Sequence, residues 1–484
     1  MIIKGKSCDY KVVIGLETHA ELNTNTKLFS QGANKFASPA NQNVCLFDIA
    51  TPGKLPVLNR GVLEKAIAFG LAVNATINKI SRFDRKHYFY PDLPQGYQIT
   101  QFYEPIVSNG RLEIKLSDGT KKTIRINRAH IEQDAGKLIH DRDEGHSFID
   151  YNRSGVPLIE IVTEPDFGDP EEVVAYLKAL QAILRATNAS LADLEKGTFR
   201  CDANVSVMPV DGKEFGTRCE IKNLNSFRFV AQAVEYEAKR QVEIIDSGEK
   251  VSQQTRLFNS KTGRTELMRD KADAVDYRYF PDPDLLPVIL TDEEIEKVRQ
   301  NLPELPEQKA ERYSKLGLSQ KENDFLVQNA NYANYFDKLI TKHDVKTAST
   351  WMLTELFGRL GKLQKSLEEC GVSADMLIDL MDNLKDGTIS GKIAKDVLDD
   401  MLASGKRASD IINEKGLKQI DDVAAIAKAV DEVIAENPQQ VEKYKGGNDR
   451  LFGFFVGQTL KKMGGKANPA TVNKLVKEKL GYFF

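Results

Sequence analysis

Four short stretches put ionisable side chains where β-structure asks mainly for apolar ones. In Ile14-Gly15-Leu16-Glu17-Thr18-His19, Glu17 and His19 lie two apart and so share one face of an extended strand. In His130-Ile131-Glu132-Gln133-Asp134, Glu132 shares a face with His130 or with Asp134. The run from Arg200 to Val207 alternates cleanly: Asp202, Asn204 and Ser206 on one side, Cys201, Ala203, Val205 and Val207 on the other. Arg218, Glu220 and Lys222 line one face over Cys219 and Ile221. Any one of these is also what a strand shows to water. Taken together, carboxylates on strands beside Lys, Asn and Arg are the groups that hold a hard divalent cation and its phosphates. His19 is the awkward member, because imidazole suits Mn²⁺ or Zn²⁺ better than Mg²⁺.

Three further segments are denser in cations, aromatics and turn formers than packing requires. They are Arg85-Lys86-His87-Tyr88 with the following FYPDLPQGYQ, Asp150-Tyr151-Asn152-Arg153-Ser154-Gly155, and Asp276-Tyr277-Arg278-Tyr279-Phe280-Pro281-Asp282. Such composition reads either as binding loops or as rigid turns stapled by aromatics. The second runs into a strand on which Glu160 and Glu164 share a face. Phosphate loops, dinucleotide fingerprints, HExxH and GxSxG are all absent, so a catalytic site here must be assembled from separate strands.

The elements that position these residues change character near residue 290. Before it, β-branched runs such as YKVVIGLETHAEL, GRLEIKLSDGTKKTIRINRAH, PLIEIVTEPD and FRCDANVSVMP alternate with turns, and helices are predicted over 170–188 and, capped by Ser226, through Arg240. This predicts an α+β domain built on a mixed, mainly antiparallel sheet. Beyond Pro287 the chain reads as helices: Thr291-Asp292-Glu293-Glu294 starts one, Ser373 and Ser390 start others, and Gly387 and Gly405 close them. Their apolar stripes are core faces. The last 70 residues split by charge. Asp421, Asp422, Asp431, Glu432, Glu436 and Glu442 make an acidic half. From Lys443 onward, nine Lys and Arg face only Asp449 and Glu478, a pattern that suits a phosphate backbone or simply a solvated surface.

The 484 residues carry a formal net charge of -3, which excludes a global basic field. Five cysteines without a CxxC exclude a disulfide framework and a zinc ribbon. No apolar run reaches the roughly 18 residues of a membrane span, and the first residues lack a signal-peptide core. The expectation is a cytoplasmic protein with no membrane contact.

In order along the chain, GLETHAEL, RKHYFYPDLPQGYQITQ, HIEQDAGK, DYNRSGVPLIEIVTEPD, RCDANVSV, CEIKNLNSFR, DYRYFPDPDL and VGQTLKKMGGKANPATVNKL resemble the B subunits of the aspartyl/glutamyl-tRNA amidotransferases. The resemblance runs from about Val12 to Leu480. It implies a ligase of class EC 6.3.5.-, a heterotrimer with subunits A and C in which A releases ammonia from glutamine. It further implies that ATP phosphorylates the side-chain carboxylate of Glu-tRNA(Gln) or Asp-tRNA(Asn), and that ammonia then displaces the phosphate. The implied domains are a cradle-like catalytic (kinase and transamidase) domain over 1–292, a helical domain over 293–411 and a small, basic, α-helical YqeY-like tail over 412–484 that binds tRNA. Position by position, Glu17, His19, Glu132, Asp202 and Glu220 resemble the family's metal set, with Mg²⁺, or Mn²⁺ as the alternative. Glu132, Lys86 and Lys222 are the catalytic candidates, Lys86 and Lys222 through phosphate or carboxylate contact and Lys86 or Glu132 through the ammonium proton. Contacts to ATP or substrate are expected from Arg85, Tyr88, Asn152, Arg153, Asn204, Ser206 and Arg278, and to tRNA from Lys461, Lys462, Lys466 and Lys474.

Two departures stand out. Where many members carry two cysteine pairs, this chain has Leu28-Phe29-Ser30-Gln31-Gly32 and Val44-Cys45-Leu46-Phe47-Asp48. One thiolate cannot hold a structural zinc, so no zinc is expected and the loop should be held by packing around Phe29, Phe36 and Phe47. Gln95 stands where many members have Lys. The competing readings are a non-catalytic scaffold that presents tRNA, and a metal-dependent hydrolase. The first gives no reason for Glu132, Asp202 and Glu220 on polar strand faces, the second none for the basic tail.

Overall fold

The computed structural model describes the chain except for residues 37, 141, 144, 271–275, 419–421, 465 and 482–484; Asp421 of the acidic half thus lies outside the described residues. The chain divides into two compact units, Met1–Lys309 and Ala310–Phe484.

The first unit carries strands β1 (Ile2–Lys4), β2 (Asp9–Glu21), β3 (Thr76–Ile77), β4 (Ile80–Ser81), β5 (Asp84–His87), β6 (Tyr97–Thr100), β7 (Val107–Lys115), β8 (Lys121–Gln133), β9 (Lys137–Ile139), β10 (Phe148–Asp150), β11 (Pro157–Thr163), β12 (Phe199–Pro209), β13 (Cys219–Lys222), β14 (Gln254–Asn259), β15 (Arg264–Asp270), β16 (Phe280–Pro281) and β17 (Val288–Ile289). The main sheet runs β15-β14-β13-β12-β2-β11-β8-β7-β3, with β1 paired to β2. Every pairing is antiparallel except β13 with β14. This is the mixed, mainly antiparallel α+β unit expected.

One face of the sheet is apolar because alternate residues are. Tyr10, Val12, Ile14, Leu16 and Ala20 of β2 and Cys201, Ala203, Val205 and Val207 of β12 are buried in a single core. Helices α1 (Arg60–Ala72), α2 (Pro170–Ala186) and α3 (Phe227–Asp246) contribute their apolar stripes to it. In α2 the stripe is Val173, Tyr176, Leu177, Leu180, Ile183 and Leu184, started by Asp169, whose side chain accepts from the Glu171 amide. Ser226 caps α3 as expected, accepting from Phe229 N, but the helix continues to Asp246 rather than stopping at Arg240. Its middle is held by the buried carboxylate of Glu237, which accepts from Arg240, Gln241 and Thr265.

Packing alone does not hold the loop between β2 and α1. Phe29 meets Phe47 edge-on at 6.3 Å and Phe83 at 5.2 Å. Phe36, expected with them, is 63% exposed; on either side of it, the Lys35 carbonyl and the Ser38 hydroxyl accept from Asn43. The loop closes instead on a buried ion pair, Lys27 Nζ to Asp48 Oδ2 at 3.0 Å, with Lys27 also donating to the Tyr151 carbonyl.

A small sheet, β16-β5-β6, leans over the opposite, polar face of the main sheet. Thr100 donates to Glu132 and Gln98 to the Gln133 carbonyl. The segment around Arg85 and Lys86 is therefore a strand, and these neighbours point opposite ways.

The first unit's remaining helix, α4 (Asp292–Gln300), begins with a capping box of Thr291 and Glu294. The second unit is all-helical, from α5 (Pro306–Lys315), which spans its boundary, to the last helix, Pro469–Leu480. Ser373 and Ser390 cap the helices predicted for them, and Gly405 closes the second at φ +69°. One core includes Leu377, Leu380, Val397 and Leu398, and a separate one near the C-terminus includes Ile426, Val430, Phe455 and Val476. Among the described residues, no helix is long and apolar enough to cross a membrane.

Candidate active site

The polar face is built in rows, because strands far apart in sequence are neighbours in space. Arg200 on β12 lies opposite His19 on β2, His19 opposite Glu160 on β11, and Glu160 opposite His130 on β8. The next row, toward the strand ends, is Glu21, Leu158 and Glu132. In the other direction Asp202 faces Glu17, and beyond it Glu220 faces Asn204. Opposed residues share a face, so these side chains converge.

They converge as two groups. In the first, His19 Nε2 lies 3.5 Å from Glu132 Oε1 and 3.4 Å from Glu160 Oε2. His130 Nε2 lies 3.1 Å from Glu160 Oε2 and 3.7 Å from Glu132 Oε2. Burial works against charge here, but the opposite signs outweigh it. The two carboxylates raise His19 and push His130 up to about 9, and the imidazoles hold Glu160 well below the usual carboxylate range and also lower Glu132. Ligand atoms of His19, Glu132 and Glu160 all lie within 4.8 Å of one another. One nitrogen and two carboxylate oxygens, partly open to solvent at His19, fit a divalent cation that keeps positions for substrate oxygens.

In the second group, Lys222 Nζ lies 2.6 Å from Asp202 Oδ2 and 3.0 Å from Glu220 Oε1. Asn204 donates to Glu17 at 2.9 Å, and Thr255 to Glu220 at 2.9 Å. Burial raises Glu17, with the charges of Glu160 and Glu220 adding to it. Lys222 is held in its charged form: burial opposes that, and Asp202 and Glu220 more than compensate. The five residues expected around one metal are thus divided. His19 and Glu132 join Glu160, Asp202 and Glu220 flank the Lys222 ammonium group, and Glu17 is held by Asn204.

The remaining candidates are spread differently. Lys86 faces the first group from β5, its Nζ 4.9 Å from the ring centre of Tyr277. Burial opposes its charge, but Glu132 leads the groups that raise it. Arg85, on the other side of the strand, is bound by Asp282 and Asp284, each at 2.8 Å, and stacks on Tyr97. Tyr88 packs edge-on against Tyr277, and burial pushes its hydroxyl up to about 12. Asn152 donates to the Ser38 and Pro39 carbonyls and accepts from Asn43 N, so it fastens a loop. Arg153 donates to the Ala135 and Gly136 carbonyls. Ser206 is buried one alternation beyond Asn204. Arg278 is exposed with φ +45°, and its carbonyl lies 3.2 Å from His87 Nδ1. Gln95 accepts from Gln133 and donates to the Phe47 carbonyl.

Glu160 and His130 are not among the site residues that sequence reasoning selects. The available signal is a lone Glu inside PLIEIVT, a charge in the middle of an otherwise apolar strand. In the C-terminal unit the two charged halves partly neutralise each other. Lys462 pairs with Glu432 and Glu436, and Lys479 with Asp431. Lys461, Lys466 and Lys474 make no ion pair among the described residues.

Similarity to known proteins follows this division of the chain. Residues 12–296 match the family model described as the GatB/GatE catalytic domain, and residues 334–480 match the one described as the GatB domain. Curated relatives named as B subunits of aspartyl/glutamyl-tRNA(Asn/Gln) amidotransferases are similar over nearly the whole length. The protein from Rickettsia bellii (strain RML369-C) is 52% identical over 480 residues, and that from Rickettsia conorii (strain ATCC VR-613 / Malish 7) is 51% identical over 479 residues. In both cases 99% of each chain is covered.

Proposed function

The chain belongs to the B-subunit family of the aspartyl/glutamyl-tRNA amidotransferases, and we propose accordingly that the polar face of its main sheet is where the carboxylate is activated and amidated. The protein is a subunit of a glutamine-dependent ligase that makes Gln-tRNA(Gln) or Asn-tRNA(Asn). The observation that carries the site assignment is the convergence of His19, Glu132 and Glu160 beneath Lys86.

A carboxylate resists ammonia because its carbonyl carbon is electron-rich and its leaving group would be an oxide. ATP removes that obstacle: a side-chain oxygen of the tRNA-bound Glu or Asp attacks the γ-phosphorus, the bond to the β-phosphate oxygen breaks, and ADP leaves. Ammonia then attacks the acyl carbon, the carbon–oxygen bond to phosphate breaks, and inorganic phosphate departs with the former carboxylate oxygen. Phosphoryl transfer asks for positioning and fixed positive charge rather than covalent catalysis. His19, Glu132 and Glu160 would hold Mg²⁺, or Mn²⁺, which when bound neutralises phosphate oxygens. Lys86 faces the same space as a fixed cation and Lys222 orders Asp202 and Glu220 beside it. Lys86 or Glu132 would take up the proton that the incoming ammonia nitrogen sheds. Contacts to ATP or substrate through Tyr88, Arg153, Asn204 and Arg278 belong to this proposal, as do amidotransferase subunits A and C as partners and a cytoplasmic location; of the others expected, Arg85 is taken up by Asp282 and Asp284, Asn152 by loop carbonyls, and Ser206 is buried. The division at 292 and 411 into catalytic, helical and tRNA-binding parts belongs to it too.

An isotope experiment tests it. In the assembled complex with ATP, Mg²⁺ and ammonium chloride, Glu-tRNA(Gln) carrying ¹⁸O in its side-chain carboxylate should yield inorganic phosphate containing one ¹⁸O. Glu132→Gln should still bind tRNA and release no labelled phosphate. Unlabelled phosphate would rule out an acyl phosphate intermediate, and full activity of Glu132→Gln would favour the scaffold reading.

For the tail, Lys461→Ala, Lys466→Ala and Lys474→Ala should each weaken tRNA binding and reduce its salt dependence by somewhat less than one unit of log–log slope. Lys462→Ala should do so less, because Glu432 and Glu436 already compensate that charge. Filter binding at several salt concentrations measures both, and an equal loss at all four positions would contradict it.

A further inference from the structure

We propose that Arg200 is a catalytic residue, a guanidinium supplied from within the chain to the phosphoryl group as it passes to the carboxylate. The inference rests on the phosphoryl-transfer reading of the polar face and adds a residue to it.

Arg200 starts opposite His19, in the row that holds the candidate metal ligands. Its Nη2 donates to Asp134 Oδ2 at 2.7 Å. Asp134 follows the end of β8, and its amide bonds to the Val156 carbonyl, two rows beyond His130. The contact places the guanidinium on the polar face, at the end of β8 beyond which Asp134 lies. Burial opposes its charge, and Asp134 and then Glu21 lead the carboxylates that hold it, with Glu132 among them. A cation is thereby held on the polar face by Asp134, two residues past Glu132.

Three features fit it for a ligand rather than for packing. Its side chain is 38% exposed, whereas that of Asp134 is only 7% exposed. Asp134 is itself fixed, since Oδ1 accepts from the Ala135 amide and Oδ2 also meets Arg153 Nε at 3.4 Å. Among the described residues, the one hydrogen bond from the Arg200 side chain is that to Asp134, so most of its five N–H groups remain for planar recognition of phosphate oxygens. The neighbouring cations are differently placed. Lys222 is shared by two carboxylates, Arg153 donates to two carbonyls, and Lys86 stands on the opposite wall. Asp134 is the positioning residue for this arm.

The test uses the assembled complex with ATP, Mg²⁺, ammonium chloride and Glu-tRNA(Gln), following ADP and Gln-tRNA. Arg200→Ala should lose about 10³-fold in kcat with less than about a threefold change in the KM for ATP. Free guanidinium should restore at least about tenfold of that, which loss of a merely structural contact would not allow. Arg200→Lys should lie between the two, and guanidinium should do nothing for Glu132→Gln. If Arg200→Ala turns over within threefold of wild type, or if neither Lys nor guanidinium relieves its loss, while Glu132→Gln is inactive, the arginine assignment is overturned and the site reading stands. If Glu132→Gln turns over normally, the site reading falls and this inference with it.

Discussion

Glu160→Gln is expected to lower kcat for amidation of Glu-tRNA(Gln) by about 10³-fold, the effect of losing roughly 4 kcal/mol of transition-state stabilisation. The reason is local. Glu160 Oε2 lies 3.4 Å from His19 Nε2 and 3.1 Å from His130 Nε2, closer than Glu132 to either, and Glu160 is one of the three residues whose ligand atoms converge. A neutral amide removes the charge that a divalent cation needs and turns one lone-pair site into a donor facing an imidazole. Glu164→Gln is the control. Although Glu164 lies only four residues on, its carboxylate accepts from Asn127, and kcat should stay within about threefold. Steady-state kinetics with Mg²⁺ titration reads both. A mild Glu160 effect beside a severe Glu220→Gln effect would move the metal to the group around Lys222.

The second large effect concerns stability. Asp48→Ala should destabilise the first unit by about 3–5 kcal/mol, because it leaves a buried ammonium without its counter-charge. Lys27 has no exposed side-chain surface. Its carboxylate partner also accepts from the Cys45 amide, while the Asp48 carbonyl accepts from Ser154. Burial already lowers the Lys27 pKa, with Asp48 opposing that shift, so removing Asp48 lowers it further. The deficit should then be greatest near neutral pH and shrink as pH rises through the folded pKa toward the ordinary lysine value, where only the unfolded chain still holds the proton. The double variant Lys27→Met/Asp48→Leu should recover to within about 1 kcal/mol of wild type, since an apolar pair needs no compensation. Urea unfolding at several pH values checks all three statements. Metal analysis of the purified protein should find no stoichiometric zinc, because only Cys45 stands in the loop where two cysteine pairs would be needed; zinc at one equivalent would replace the ion pair as the explanation of how this loop is held.

The active site and the buried pair differ in how far sequence reasoning reaches them. Alternation along β12 is enough to put Asp202 and Asn204 on one face and Cys201, Ala203 and Val205 in the core. Pairing Glu160 with Glu164 fails because β11 ends at Thr163 and its register against β8 shifts between Val162 and Thr163, so counting by twos no longer applies. Arg85 and Lys86 read as parts of one loop; on a strand they must point oppositely, and only Lys86 faces the polar site. The buried Lys27–Asp48 pair leaves no trace in sequence, since two charges 21 residues apart in a loop look like any solvated surface.

Features that depend on near neighbours are legible without coordinates: helix caps at Ser226, Ser373 and Ser390, the apolar stripes, the alternating strands and the missing cysteine pairs. They follow from backbone geometry and side-chain chemistry over a few residues. Which polar strands lie side by side is a different matter, settled only when the chain has folded. The order β12-β2-β11-β8 brings Arg200, His19, Glu160 and His130 into one row although they are widely separated along the chain. The same kind of long-range pairing sets Lys222 between Asp202 and Glu220 and brings Lys462 to Glu432 and Glu436. A charge's partner depends on strand order and register, and these are set by how the whole apolar face packs beneath the site.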